Sequence, residues 1–288
     1  MNGQKISLVA PTRAWVDQVL VLLDESELGE ATAVGIREEA GRWHVEIYVD
    51  SAGDTDAVLA LIRGVAGDVS EVQRQPVPAE DWVTLTQTGL SPVKAGGFIV
   101  HGSHDRHRIM ISPRTIEIDA GRAFGTAHHG TTRGCLMAID RLCRRESFDR
   151  VLDLGTGSGV LAIAAARRLC CSVTAVDIDP VATMVARQNC RNNRVGGAVR
   201  TWKGDGIRPA QAYTAPYGLV IANILAGPLI KLCARVRELT AAGGYVILSG
   251  LLNSQAREVI AAYRATGFSV SNRIAYEDWS TITMRSSR

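Results

Sequence analysis

An α/β fold is predicted: a Rossmann-like parallel sheet preceded by a smaller α+β domain of ferredoxin-like order. Three observations carry that prediction. Short apolar runs at Val151–Leu154, Val173–Val176, Val199–Trp202, Leu219–Ile221 and Gly244–Leu248 alternate with helical patterns, as in a parallel sheet covered on both faces. The first run leads into Gly155-Thr156-Gly157-Ser158-Gly159 and then a helical stretch, the strand–turn–helix of a nucleotide site. Ahead of it, residues 1–75 read strand, helix, strand, strand, helix, strand, which is the split β-α-β unit.

Within residues 1–75, Ile6–Val9 predicts a strand, and Thr12 opens a helix whose apolar face is Trp15, Val16, Val19, Leu20, Leu22 and Leu23. Ala33–Ile36 and Trp43–Val49 predict two strands around Gly41. Asp54 or Thr55 suits the cap of a second helix carrying Val58, Leu59, Leu61, Ile62 and Val65, and Val69–Val72 suggests a last strand. No catalytic cluster falls in this stretch, so a recognition domain is expected. Residues 76–112 read as a linker stopped by Pro76 and Pro78, with His101, His104 and His107 in a polar, turn-like loop that lacks Cys or Glu at metal-ligand spacing.

The remainder, 113–288, is read as the cofactor domain. Thr115–Asp119 alternates like a half-buried strand, and a loop rich in Gly and Thr follows, Ala123-Phe124-Gly125-Thr126 through Thr131-Thr132. Its aromatic and hydroxyl groups suit a cover over a cofactor, although Thr131 and Thr132 also suit plain helix caps. His128 and His129 are candidates for loop donors or a catalytic base. Helices are expected near Gly159–Leu169, Pro180–Asn192, Leu229–Leu239 and Ser254–Thr266. Phe268–Val270 and Trp279–Met284 close the sheet, the second running antiparallel.

Composition narrows the function classes. The 288 residues suffice for two domains, and 46% hydrophobic with 21% charged residues predicts a packed soluble protein. A formal charge of +3, with only Lys5, Lys94, Lys203 and Lys231 as lysines, makes no case for strong nucleic-acid binding. Cys135, Cys143, Cys170, Cys171, Cys190 and Cys233 form no C-x-x-C pair and read as buried free thiols of a reducing compartment. No signal-peptide core opens the chain and no apolar run reaches the roughly 20 residues of a membrane span, so a cytoplasmic protein without membrane attachment is expected.

The glycines discriminate between nucleotide ligands. Their spacing is G-x-G-x-G, no Gly-Lys-Ser/Thr follows, and acids surround the loop: Asp153 just before it, Asp177 at the end of the second strand and Asp205 after the third. Acids repel a phosphate and suit a cation. S-adenosylmethionine is favoured over NAD: Asp153 suits its ammonium, Asp177 the ribose diol, Asp205 the adenine amine, and Gly155, Gly157 and Gly159 close backbone approach. Asn223, at the end of the fourth strand in Asn223-Ile224-Leu225-Ala226-Gly227-Pro228-Leu229, is placed to orient a substrate amine, or to form a turn before Gly227-Pro228.

These residues together resemble the PrmA family, bacterial methyltransferases of large-subunit ribosomal protein L-eleven (L11). The likeness rests on Ala123-Phe124-Gly125-Thr126 with Thr131-Thr132, the glycine loop, Asp177-Ile178-Asp179-Pro180 and the Asn223–Leu229 stretch. It extends to Leu248-Ser249-Gly250, Asp81-Trp82 and Glu277-Asp278-Trp279. The resemblance implies a seven-stranded class I methyltransferase domain behind a ferredoxin-like substrate-recognition domain. It places Thr132, Gly155, Asp177 and Asn223 on the contacts to S-adenosylmethionine, and Phe124 and Thr126 on the covering loop. It also implies methylation of α-amino and lysine ε-amino groups of L11, up to three methyls on each, by a monomer that needs no metal and releases S-adenosylhomocysteine. The chain departs from the family pattern at Ala127, at His129-Gly130 and at Thr156, where Cys is common. Three alternatives stay open: a lysine methyltransferase of another protein target, a cofactor-binding module without activity, and a small-molecule or RNA methyltransferase, RNA being disfavoured by the weak net charge. The fourth-strand tip lacks the Asn-Pro-Pro-Tyr expected of a glutamine methyltransferase.

Overall fold

The structure is a computed structural model that describes residues 3–25, 32–39, 42–49, 52–66, 72–77, 92–119, 130–205 and 216–287. The chain divides into two compact units, Met1–Thr86 and Gln87–Arg288.

The first unit contains β1 (Gly3–Ala10), α1 (Arg13–Glu25), β2 (Thr32–Glu39), β3 (Arg42–Val49), α2 (Ala52–Ala66) and β4 (Gln73–Val77). The strands form one sheet in the order β2-β3-β1-β4 with antiparallel pairs throughout, the ferredoxin-like arrangement. Alternation along β1 and β3 turns Ile6, Leu8, Val45 and Ile47 to one face, where they meet Val16 and Val19 of α1 and Val58 and Ile62 of α2. Thr12 Oγ accepts a hydrogen bond from Trp15 N at 3.2 Å and so caps α1. The last strand differs from the sequence reading. It lies beyond Val72 and includes Pro76, which stands opposite Gln4. An edge strand pairs on one side only, so it tolerates a residue without an N–H.

The second unit opens with β5 (Val93–Ala95), β6 (Phe98–His101) and β7 (Thr115–Glu117), paired in that order. Two of these strands fall inside the stretch expected as a linker, yet Val93, Ala95, Phe98 and Val100 are buried in the same core as Leu136 and Ile163. His101 ends β6 and is buried, whereas His104 and His107 follow in the expected polar turn. β7 does not alternate: Thr115, Ile116 and Glu117 are all buried. The burial of Glu117 is offset by an ion pair with Arg106.

Then follow α3 (Gly130–Leu142), β8 (Arg150–Leu154), α4 (Val160–Leu169), β9 (Ser172–Asp177), α5 (Pro180–Asn192), β10 (Val199–Lys203), β11 (Tyr217–Asn223), α6 (Ala226–Leu239), β12 (Thr240–Leu252), α7 (Ala256–Ala265), β13 (Phe268–Tyr276) and β14 (Trp279–Ser286). They build a seven-stranded sheet in the order β10-β9-β8-β11-β12-β14-β13. Strands β8 to β12 run parallel, and β14 is antiparallel to both neighbours. Alternation splits the core in two. Val151, Val173, Ile221 and Ile247 face α3 and α4, whereas Leu152, Leu154, Val220 and Leu248 face α6 and α7. From β8 the chain winds outward to β10, then returns to β11 on the other side of β8. That reversal opens a crevice at the carboxyl ends of the strands.

Candidate active site

A cavity of about 650 Å³ occupies that crevice. It is lined by the tips of five parallel strands: Gly155 after β8, Asp177 on β9, Gly204 and Asp205 after β10, Asn223 on β11 and Gly250 on β12. Thr131 and Thr132 from the first turn of α3 and Trp279 from β14 complete the wall.

The glycine loop is held by backbone and carboxylate together. Gly155 N and Thr156 N both donate to Val176 O, at 2.8 and 3.0 Å, which ties the loop to β9. Gly155 (φ +69°), Gly157 (φ +52°) and Gly159 (φ +84°) take the left-handed conformation that a side chain penalises. Asp177 Oδ2 accepts from Gly157 N at 2.8 Å and Oδ1 from Asp179 N at 3.0 Å. Asp179 in turn caps α5, accepting from Val181 N at 2.8 Å and Ala182 N at 3.2 Å. Asp177 thus presents a fixed carboxylate at the cavity wall.

Asp153 does something different from the ligand contact expected of it. It shares the strand face of Val151, so its side chain enters the layer under α4, is fully buried, and does not line the cavity. Oδ2 accepts from Thr156 Oγ at 2.7 Å and from Ala162 N at 3.1 Å, fixing the loop to the first turn of α4. Burial pushes the Asp153 carboxyl up to about 7. The Thr156 and Ala162 hydrogen bonds oppose that rise, and the nearby Asp177 charge adds to it. Thr156, a departure from the family pattern, therefore serves as the hydroxyl partner of this buried acid.

Three buried side-chain oxygens near the strand tips have no hydrogen-bond partner: Thr132 Oγ1, Asn223 Oδ1 and Asp153 Oδ1. Thr132 and Asn223 line the cavity, whereas Asp153 does not. An orphaned acceptor beside a cavity is costly unless a ligand or water meets it. The Asn223–Ile224 tip is clamped on both sides. A Cβ on Gly155 would lie 2.3 Å from Ile224 Cγ2, and one on Gly250 only 2.4 Å from Ile224 O. Gly250, Ile178 and Trp279 were not singled out as site residues from sequence. The signal that marks Gly250 is a glycine two residues past the apolar run Val246–Leu248 of β12. Ile178, 69% exposed beside Asp177, offers an apolar surface for a flat ring. Trp279 is placed by the β13–β14 turn, where Asn253 N donates to Asp278 O at 2.8 Å and Asn253 Nδ2 to Glu277 O at 2.8 Å.

Of the expected site residues, Thr132, Gly155, Gly157, Asp177, Asp205 and Asn223 converge on this cavity. Gly159 lies behind it at the start of α4, and Asp153 beneath it. Phe124, Thr126, His128 and His129 lie outside the described residues. Among the described lining residues the charged groups are Asp177 and Asp205, with no Lys, Arg or His. Such a site accepts a cation and repels a phosphate. Among the described residues no cluster of His, Cys, Asp and Glu is arranged for a metal ion. Nor is any described helix long and apolar enough to cross a membrane. The six cysteines are free. Burial pushes the Cys135, Cys171 and Cys190 thiols up to about 12, away from reactive thiolates. Cys170 is exposed, contrary to the expectation, because it caps α4 at φ +51°.

A glycine loop, an acid on β9, a polar tip on β11 and a parallel sheet closed by an antiparallel β14 define a class I methyltransferase that uses S-adenosylmethionine. The comparisons with known proteins agree. Residues 15–287 match the family described as ribosomal protein L11 methyltransferase (PrmA), and the chain belongs to that family. It is 43% identical over 284 residues to the ribosomal protein L11 methyltransferase of Rhodopseudomonas palustris (strain BisB5), covering 97% of this chain and 96% of that one. The protein of the same name from Bradyrhizobium diazoefficiens is 44% identical over 260 residues, covering 89% and 88%. A crystal structure of ribosomal protein L11 methylase from Lactobacillus delbrueckii subsp. bulgaricus shares the fold, with a TM-score of 0.62 at 24% identity. It covers 69% of this chain and 100% of that one.

Proposed function

We propose that the chain methylates α-amino and lysine ε-amino groups of ribosomal protein L11, acting as a monomer in the cytoplasm, with the 1–75 domain recognising the protein substrate. The observation that carries the amine chemistry is the orphaned Asn223 Oδ1 at the wall of an acidic, phosphate-excluding cavity. The residues present fit S-adenosylmethionine. Asp177 suits the ribose diol, Asp205 the adenine amine, and Gly155 and Gly157 admit close backbone approach. Bound there, S-adenosylmethionine supplies an electrophilic methyl on a sulfonium and leaves as S-adenosylhomocysteine.

The chain's own task is to present a neutral amine to that methyl. A lysine amine has an ordinary pKa of about 10.4 and an α-amine about 7.7–8.0, so the proton must leave first. The apolar wall, including Leu154, Val160, Leu225 and Pro228, lowers an amine pKa by desolvation. Asn223 Oδ1 accepts one N–H of the amine and so fixes the direction of its lone pair. Thr132 Oγ offers a second polar contact at the same cavity. Asp153 acts through the loop, holding Thr156 and α4 under the cofactor.

Asn223→Ala separates binding from transfer. Measured at saturating S-adenosylmethionine, so that any loss of cofactor affinity seen by calorimetry is set aside, transfer should fall by on the order of 100-fold. Unchanged transfer would remove the role given to Asn223. Asp177→Asn is the complementary variant, expected to lose cofactor affinity. Full retention would remove Asp177 from the site.

A further inference from the structure

Asn189 in α5 and Asn193, which caps the C-terminus of that helix, are 1% and 3% exposed. Each treats one residue of the β7 segment as a strand partner would. Asn193 Oδ1 accepts from Glu117 N at 3.0 Å and its Nδ2 donates to Glu117 O at 2.6 Å. Asn189 Oδ1 accepts from Asp119 N at 3.3 Å and its Nδ2 donates to Asp119 O at 3.4 Å. Their remaining contacts differ. Asn193 Nδ2 donates back to its own helix, to Asn189 O at 2.8 Å, whereas Asn189 Nδ2 donates to Ser158 O at 2.9 Å.

Ser158 sits inside the glycine loop, between Gly157, whose N–H is held by Asp177, and Gly159, which opens α4. The helical N–H four residues on, that of Ala162, is engaged by Asp153. The loop is thus gripped from two sides, by Asp153 through Thr156 and by Asn189 through the Ser158 carbonyl. Helix α5 also presses on the loop directly, since a Cβ on Gly159 would lie 3.1 Å from Ala186 Cα. A carboxamide has two N–H donors, and both donors of Asn189 are used, one on the loop and one on Asp119. Asp119 is followed in sequence by residues 120–129, which carry Phe124 and Thr126, and then by Thr131 and Thr132 of the cavity wall.

We propose that Asn189 is a positioning residue for cofactor binding. It locks the glycine loop to the backbone of Asp119, so that the loop beneath the cofactor and the chain entering residues 120–129 keep one register. Asn193 is its internal control: one turn further on, at the C-cap of the same helix, similarly buried, with the same pairing to the strand segment, and with its side-chain hydrogen bonds on Glu117 and Asn189 instead of the loop.

The test compares Asn189→Ala with Asn193→Ala in the full chain. Unfolding midpoints without cofactor should fall by similar amounts, since each variant loses equivalent strand pairing. Affinity for S-adenosylmethionine by calorimetry should fall about tenfold or more for Asn189→Ala and stay within about twofold for Asn193→Ala, the worth of one well-placed hydrogen bond. The KM for the cofactor should rise in step while kcat at saturation changes little. Equal loss of affinity in both variants, or none in Asn189→Ala, would overturn the proposal. Asn189→Asp keeps the shape and the acceptor toward Asp119 N but removes both donors. It carries the same expectation should the alanine variant not fold. A wild-type measurement needs no variant: hydrogen exchange at Asp119 N–H should slow on cofactor addition together with exchange at Gly157 and Gly159. Protection of the glycines without protection of Asp119 would also overturn it. Binding of S-adenosylmethionine to the wild type is the separate check on the cavity's ligand.

Discussion

Gly250→Ala is the substitution whose consequences follow most directly from the geometry. Gly250 has φ +84°, and a Cβ there would lie 2.4 Å from Ile224 O, 2.7 Å from Ile224 C and 2.9 Å from Ile224 N. All three are backbone atoms, so no rotamer change relieves them. Carbon and oxygen rest at about 3.3 Å or more, so the β11 tip must retreat by about 0.9 Å. The left-handed conformation itself costs about 1–2 kcal/mol for alanine, and forced repacking adds about 1–3 kcal/mol. The expected loss of stability is therefore about 2–5 kcal/mol. Asn223 is the residue next to Ile224, so its Oδ1 moves with the tip. A displacement near 1 Å at a positioning group costs on the order of 100-fold in rate. Urea unfolding reads the first quantity and transfer of labelled methyl reads the second. Retention of activity within about threefold, in a variant shown to be folded, would refute the clamp on the β11 tip.

Three further outcomes are expected. Asp153 keeps its proton to about pH 7 when folded but only to about 3.8 when unfolded, so the folded state binds the extra proton between those values. Stability from this group is thus highest at low pH and falls as pH rises toward 7. Asp153→Asn lacks the titration, so urea unfolding should show the variant gaining on wild type by about 2–3 kcal/mol between pH 5 and pH 8. An unchanged difference would remove the raised carboxyl. Thr156→Val deletes the hydroxyl donor to Asp153, which should cost about 1–2 kcal/mol by the same assay and weaken cofactor binding; loss of neither would show that the loop stands without it. Gly64→Ala, on α2 with nothing within 4 Å of its Cβ position, should stabilise the first unit by about 0.5–1 kcal/mol and leave methyl transfer unchanged. Destabilisation would mean that α2 carries a constraint other than its own propensity.

The parallel strands were legible because β8, β9, β11 and β12 are buried on both faces and read as unbroken apolar runs. The glycine loop, Asp177 and Asn223 were legible because strand tips carry ligand chemistry in such sheets. Asp153 was harder. Its residue type suggested a ligand contact, but its direction depends on which face of β8 it shares, and alternation puts it with Val151 under α4. The short strands β5 and β6 give too few residues for a period, so their stretch read as a linker. Thr115–Asp119 reads as half-exposed because its polar partners Asn189, Asn193 and Arg167 come from distant parts of the chain, and Arg106 reaches Glu117 only across the intervening turn. Trp279 reaches the cavity only through tertiary packing, and a local pattern does not announce it.

Amine methylation of ribosomal protein L11 at this cavity can be read in a reconstituted reaction. Purified full-length chain, S-adenosylmethionine and unmethylated ribosomal protein L11 are incubated together, and the L11 peptides are read by mass spectrometry. The prediction is methyl groups on the α-amine and on lysine ε-amines with the wild type, and their near-absence with Asn223→Ala. Unmodified L11 in the presence of a wild-type chain that binds S-adenosylmethionine would contradict it.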